Sequence, residues 1–165
     1  MSISPFKARF ADSGGAVETW SGLNGSSAAI AILAAAEADT CVSLVVTRSS
    51  HQAQLLNRDL ELLDHTGLPV QLFPDHETLP YDPFSPHPDI IAERLRTLSN
   101  LSDMQHGVVL CPVTSLIQRL PPASYILKRT FDLSVGQRLA IDEFRRKLNH
   151  GGYEASDQVY QAGQY

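Results

Sequence analysis

The chain has 165 residues, of which 43% are hydrophobic and 19% are charged, and its formal net charge is −5. This length suits one domain, or one domain plus part of another, with a core that needs no disulfide or metal. The negative balance disfavours a dedicated nucleic-acid-binding domain, because phosphate contacts require clustered Lys and Arg.

The cysteines and the apolar runs indicate the compartment. Cys41 and Cys111 each border an apolar run and are far apart in sequence, so we predict two buried, reduced thiols. The start of the chain lacks the apolar region of a signal peptide, and the run Ala28–Ala36 is too short to span a membrane. We therefore expect a cytoplasmic protein that does not contact membranes.

The first distinctive stretch resembles the phosphate-loop pattern G-x-x-x-x-G-K-[ST] and runs directly into an alanine-rich helix pattern. Ser27 replaces the second required glycine, Ala28 stands at the lysine position and Ala29 stands at the position of the magnesium-binding hydroxyl. On the pattern alone, an ordinary helix start that is capped by a serine hydroxyl is the favoured interpretation. The positions that make up this loop are Gly22, Gly25, Ser26, Ser27, Ala28 and Ala29.

Helix and strand patterns alternate through the first half of the chain. Continuous β-branched runs are typical of strands covered on both faces, and apolar residues at helical spacing lie between them. The alternation predicts an α/β fold with a parallel sheet and right-handed crossovers. The predicted elements are a strand at 17–23, a helix to about Asp39, a strand at 42–47, a helix from Ser50 and a strand at 70–73.

A proline-rich loop, residues 74–88, follows the third strand. Asp89 is predicted to cap a helix at 90–101 that directs Arg94 and Arg96 to water. The helix would bury Ile91, Leu95, Leu98 and Leu101. The tripeptide His87-Pro88-Asp89, which J-domain co-chaperones also contain, is interpreted as loop and cap. Neighbouring acidic and histidine side chains on one loop rarely converge on a metal, so no metal site is predicted at Asp75, His76, Glu77 and Asp82.

The pattern changes after a strand at 107–111 and a short helix at 114–120. Residues 127–133 alternate polar and apolar, which predicts a half-exposed antiparallel strand. A helix at 141–149 would turn Ile141, Phe144 and Leu148 inward, Gly151-Gly152 would end it, and a strand would begin at Val159-Tyr160. We predict two domains: residues 1–126, and the first part of a smaller α+β domain at 127–165.

One stretch closely resembles a known family. Residues 77–91, which read ETLPYDPFSPHPDII, are similar to the bacterial transcription-repair coupling factor (Mfd). The pairs Arg94-Leu95 and Thr97-Leu98, with the later runs at 136–139 and 152–159, extend this resemblance over most of the chain. The N-terminal region of that family is similar to UvrB, the excinuclease B subunit, whose loop G-x-T-G-S-G-K-T is an intact phosphate loop.

The resemblance implies that Gly22–Ala29 is a vestigial phosphate loop in a UvrB-like parallel-sheet domain, with no catalytic residue, cofactor or metal. It also implies that residues 127–165 begin a domain like UvrB domain 2, which recruits the excinuclease A subunit (UvrA). The main UvrA contacts are expected beyond Tyr165. Contacts with RNA polymerase and DNA, and the ATP-dependent translocase, belong to later domains of that family.

Two other functions stay open at the level of sequence. One is an active nucleotide-binding module in which Asn24, Ser26 and Ser27 bind phosphate together with the helix N-terminus. The other is a DNA-binding module that uses a face formed by Arg94 and Arg96. The remaining dense cations are Arg145, Arg146 and Lys147.

Overall fold

A computed structural model describes residues 17–78, 82–131 and 133–165 as a mixed α/β protein, as the sequence predicted. The elements in chain order are α1 (Ser27–Ala38), β1 (Val42–Thr47), α2 (Ser50–Leu63), β2 (Val70–Leu72), α3 (Pro88–Asp103), β3 (Gly107–Pro112), α4 (Val113–Leu116), α5 (Ala123–Leu127) and α6 (Ile141–Gly151).

The three strands form a parallel sheet in the order β1-β3-β2. Val42 lies opposite Gly107 and Thr47 opposite Pro112, while Val70 pairs with Val108 at the other edge of β3. Parallel strands require crossover connections, and a helix lies in each of them: α2 in the connection from β1 to β2, and α3 in the connection from β2 to its neighbour β3. The predicted parallel sheet and its helical crossover are confirmed.

The chain divides into two compact units. The first comprises the described residues up to Asp75 together with Asp103–Gln118, and the second comprises His76–Ser102 with Arg119–Tyr165. These two units do not coincide with the predicted domains 1–126 and 127–165. The domain boundary at residue 127 stays a prediction.

The core of the first unit lies where α1 and α2 meet the sheet. Leu60 of α2 and Val108 and Leu110 of β3 are completely buried. From α1 the core receives Ala29, Ile32, Leu33 and Ala36. Small alanine side chains allow α1 to approach its neighbours closely, so this helix contributes packing contacts and little bulk.

Two predictions for the first unit are wrong. Residues 17–24 have no regular secondary structure, so no strand leads into α1. Every residue of β3 is buried, whereas β1 leaves Leu44 54% and Val46 47% exposed, so β1 is not covered on both faces. A continuous apolar run marks a strand without showing which of its faces is covered.

The cysteines differ in their surroundings. Cys111 lies buried in β3 as predicted, but Cys41 is exposed because it precedes β1 and lies outside the strand. Asp39 raises the pKa of the Cys41 thiol, through a hydrogen bond and through its negative charge. A raised pKa disfavours the reactive thiolate at this surface position.

The start of α3 also differs from the prediction. The helix begins at Pro88, and the backbone N–H of Asp89 donates to His87 Nδ1 at 3.3 Å. The carbonyl of His87 accepts from Ile90 and Ile91 at 3.0 and 3.2 Å. Asp89 therefore lies in the first turn and is not the cap, while Pro88 takes a position where its missing N–H costs nothing.

The buried side of α3 was predicted wrongly. Arg94 is only 5% and Thr97 only 4% exposed, whereas Ile91 and Leu95 are 40% and 42% exposed. At 5% exposure Arg94 is buried together with its guanidinium, which is rare for a charged side chain and which a polarity pattern does not anticipate.

The described residues of the segment 127–133 do not form the predicted strand. The helix α5 runs into this segment and ends at Leu127. Pro122 accepts a hydrogen bond from the N–H of Tyr125 at 2.9 Å and starts α5 at Ala123. Thr130 Oγ1 then donates to the carbonyl of Ile126 at 3.1 Å. The predicted helix at 114–120 is shortened to the four residues of α4, Val113–Leu116.

The predicted last helix is confirmed with small changes. Leu148 of α6 is buried, but Ile141 is 65% exposed and does not point inward. Gly152 ends α6 in the left-handed conformation, with φ of 89°. No strand begins at Val159; instead Glu154 and Gln164 form one isolated bridge.

Candidate functional site

The predicted phosphate-loop positions form a tight turn ahead of α1. Gly22 and Gly25 both have positive φ, at 75° and 57°, which a residue with a side chain rarely adopts. The carbonyl of Asn24 accepts from the backbone N–H of Ser27 at 3.2 Å and from Ser27 Oγ at 2.7 Å. The hydroxyl of Ser27 is thereby engaged with its own turn.

The two alanines after the turn face inward to different extents. Ala28 is half-buried, and Ala29 is completely buried among the apolar residues of the first core. In the sequence pattern of a phosphate loop, Ala29 aligns with the hydroxyl residue, and its methyl group lies in this core. Between Trp20 and Ile30 the chain carries no charged side chain. The turn therefore offers backbone and serine groups, and no cation to balance a phosphate.

The acidic loop after β2 has a structural role that the sequence did not reveal. Asp75 accepts hydrogen bonds from Thr114 Oγ1 at 2.7 Å and from Gln118 Nε2 at 3.1 Å. Ser115 Oγ donates to the carbonyl of Pro74 at 3.2 Å. These bonds tie the end of β2 to α4. Across the described residues, no three His, Cys, Asp or Glu side chains are placed to hold a metal ion.

The cations do not form the face that a DNA-binding function would use. Arg94 is buried and Arg96 is exposed, so the two do not share a surface. Lys147 of α6 pairs with Glu143 at 2.9 Å, and Arg145 and Arg146 are exposed beside it. The DNA-binding alternative therefore loses the Arg94–Arg96 face on which it rested.

A groove of about 1050 Å³ lies within the second unit. One wall is α3, another is α5 with the residues after it, and the groove ends at residues 151–153 and 159–164. The guanidinium of Arg129 stacks on the ring of Tyr125, with Cζ 3.8 Å from the ring centroid. Sequence reasoning missed this groove, because it read 127–133 as a strand and so overlooked the i, i+4 pair of Tyr125 and Arg129.

Known proteins that are similar to this chain share one name. The chain is 41% identical over 137 residues to the transcription-repair-coupling factor of Haemophilus influenzae, which covers 83% of this chain. It is also 41% identical over 138 residues, 84% of the chain, to the factor of Escherichia coli. The factor of Bacillus subtilis is 28% identical over 145 residues, 87% of the chain.

The chain is homologous to the N-terminal region of the transcription-repair-coupling factors. It spans about 12% of the length of these relatives. No family model matches the chain. Among the residues that the structure describes, no helix combines the length and the apolar character needed to cross a bilayer.

Proposed function

We propose that this chain is a non-catalytic module of a transcription-repair-coupling factor, and that it helps to recruit UvrA to stalled RNA polymerase during nucleotide excision repair. The observation that carries the proposal is the 41% identity to two such factors over more than four-fifths of the chain. A likeness of this extent supports a shared role in coupling transcription to repair.

The geometry of the loop supports a non-catalytic role. A charge-assisted hydrogen bond to phosphate contributes roughly 1.5–3 kcal/mol, and Ala28 cannot make it. Ala29 offers no hydroxyl to a magnesium ion and lies in the core. The α1 dipole contributes only about 0.3–1 kcal/mol and does not offset these losses. On this proposal the loop is a vestige of a UvrB-like phosphate loop whose remaining value is structural.

The recruiting function is assigned to the domain that begins near residue 127. The sequence resembles UvrB domain 2 from that point, and the proposal places most UvrA contacts beyond Tyr165. RNA polymerase and DNA would be engaged by later parts of the full-length protein. Residues 1–126 then act as the scaffold that carries the recruiting domain.

Calorimetric titration with Mg-ATP tests the non-catalytic part. We expect no heat of binding, because the loop lacks both the cation and the metal ligand. Binding at micromolar concentration would contradict this part of the proposal and support the nucleotide-binding alternative.

A pull-down with purified UvrA tests the recruiting part. The bait proteins are this chain, a chain extended through the rest of the second domain, and residues 1–126 as the control. We expect robust binding by the extended form and weak or no binding by the other two. Equal binding by residues 1–126 and the extended form would remove the recruiting function from the second domain.

A further inference from the structure

The face of α3 that lines the groove carries apolar and polar side chains. Ile91 and Leu95 are four residues apart and 40% and 42% exposed, so they form one stripe along the groove. α3 lines the groove from Pro88 to Asn100, which makes this wall about 20 Å long. A groove of this length and of about 1050 Å³ is larger than most small-molecule sites and suits a peptide.

Side-chain contacts stabilise the wall opposite α3, which includes Tyr125, Arg129 and Phe131. The Arg129–Tyr125 stack fixes one part of it. Phe131 meets Phe144 of α6 edge-to-face, with ring centroids 5.8 Å apart, which anchors the next part. The ring of Tyr153 lies beside Gly151, where an added Cβ would meet it at 3.4 Å, an ordinary packing distance. A rigid wall reduces the entropy that a partner must overcome on binding.

The charged side chains that line the groove favour an acidic partner. Arg96 and Arg129 are its cations, one on each wall, and Asp89 is its only acidic lining residue among those described. Asp89 lies at the start of α3, 3.5 Å from His87 Nδ1. Two cations beside an apolar stripe suit a peptide with apolar anchors and carboxylates, and are too few for a nucleic-acid backbone.

We propose that this groove binds an acidic amphipathic peptide segment of a protein partner, with apolar side chains on Ile91 and Leu95 and a carboxylate between Arg96 and Arg129. The inference does not depend on UvrA being that partner. It adds a second interaction surface to the one assigned to the domain near residue 127.

A charge-swap titration tests the site. The probes are a fluorescein-labelled helical 15-residue peptide of Leu, Ala and Glu, its counterpart with Lys in place of Glu, and a labelled 15-nucleotide oligo(dT). Fluorescence anisotropy should show the Glu peptide binding about tenfold or more tightly than the Lys peptide, with no binding of oligo(dT). The double variant R96E/R129E should lose the Glu peptide and gain the Lys peptide.

Two controls separate the groove from general charge and from misfolding. R145E/R146E changes the same amount of charge on α6, outside the groove, and should leave the affinity for the Glu peptide unchanged. A gain of Lys-peptide binding that occurs in R96E/R129E and not in R145E/R146E reports the groove, because both variants carry the same net charge. Leu95→Ala should weaken the Glu peptide several-fold without reversing the charge preference.

The proposal is overturned by any of three results. These are no binding of the Glu peptide by the unaltered chain, an equal loss in R145E/R146E, or binding of oligo(dT) that R96E/R129E removes. The last result would identify the groove as a nucleic-acid site. None of them bears on the UvrA pull-down, so failure here leaves the proposed function standing.

Discussion

At the position where a phosphate loop presents its magnesium-binding hydroxyl, the side chain of Ala29 is completely buried. It packs with Ile32 and Leu33 of its own helix and with Leu60 of α2. A buried methyl group in a close-packed core leaves no room for a larger polar side chain. A larger side chain with a hydroxyl at this residue would therefore damage the fold.

Ala29→Thr should lower the free energy of unfolding by about 1–3 kcal/mol, because it overpacks the core and buries a hydroxyl. Urea denaturation followed by circular dichroism measures the change. Ala28→Lys, at a half-buried neighbour, is the control and should shift stability much less, since a long side chain can extend its amine to water. Equal effects of the two substitutions would contradict the burial argument.

Gly107 begins β3 with φ of 128°, a conformation that residues with side chains rarely adopt. A Cβ there would collide with the carbonyl oxygen of Pro69 and with Met104 Cε. Gly107→Ala should cost about 2 kcal/mol or more of unfolding free energy. Gly67→Ala is the matched control, because Gly67 has φ of 75° and open space around its Cα. The control substitution should lower the free energy of unfolding only by the cost of the left-handed backbone conformation, about 1–2 kcal/mol.

At the scale of elements, the end of α2 depends on one carboxylate. Asp64 Oδ1 accepts from the backbone N–H of Thr66 at 2.9 Å and from its hydroxyl at 2.8 Å. Burial raises the pKa of Asp64, but the Thr66 donors and the N–H groups of Leu68 and Gly67 lower it more, so its pKa lies below the usual value. A lowered pKa means that folding favours the ionised carboxylate.

The resulting contribution to stability is present above the pKa of Asp64 in the unfolded chain, about 3.9, and is lost as pH falls through the lower pKa of the folded chain. Asp64→Asn should therefore reduce stability at pH 7 and flatten its decline in acid. Urea midpoints between pH 7 and pH 3 measure both effects. Thr66→Ala removes one of the donors and should reproduce part of the change. An unaltered acid decline in Asp64→Asn would refute the linkage.

Strands are predicted well where the apolar run is nearly continuous, and helices are predicted less well where prolines set their starts. The sequence locates β1 and β3 because nearly continuous apolar runs, rich in β-branched side chains, are typical of strands in a parallel sheet. It misses α5 because the alternation at 127–133 outweighs the start signal of Pro122. Over so few residues, period 2 and period 3.6 cannot be told apart reliably.

At the scale of the whole molecule, the groove could not be predicted from the sequence. Its lining comes from α3, from Tyr125 to Phe131, and from two segments after α6, and only the tertiary fold brings them together. The loop at Gly22–Ala29 was predictable as a turn into a helix, because its glycines and serines act locally. The burial of Ala29 was not, since it depends on Leu60 of a different helix.

The division into two compact units predicts how a truncation at residue 126 affects the stability of each unit. In the second unit, α3 shares a groove with residues 125–131 and 151–164, so these segments lie on both sides of the predicted boundary at residue 127. A fragment ending at residue 126 should lose amide protection in α3, because the segments that line the other walls are removed. Protection in β1 and β3 should persist, since their partners Leu60 and the core of α1 remain. Hydrogen exchange on residues 1–126 and on the full chain measures both. Unchanged protection of α3 in the fragment would instead support a domain boundary at residue 127, with α3 belonging to a scaffold that folds without the recruiting segment.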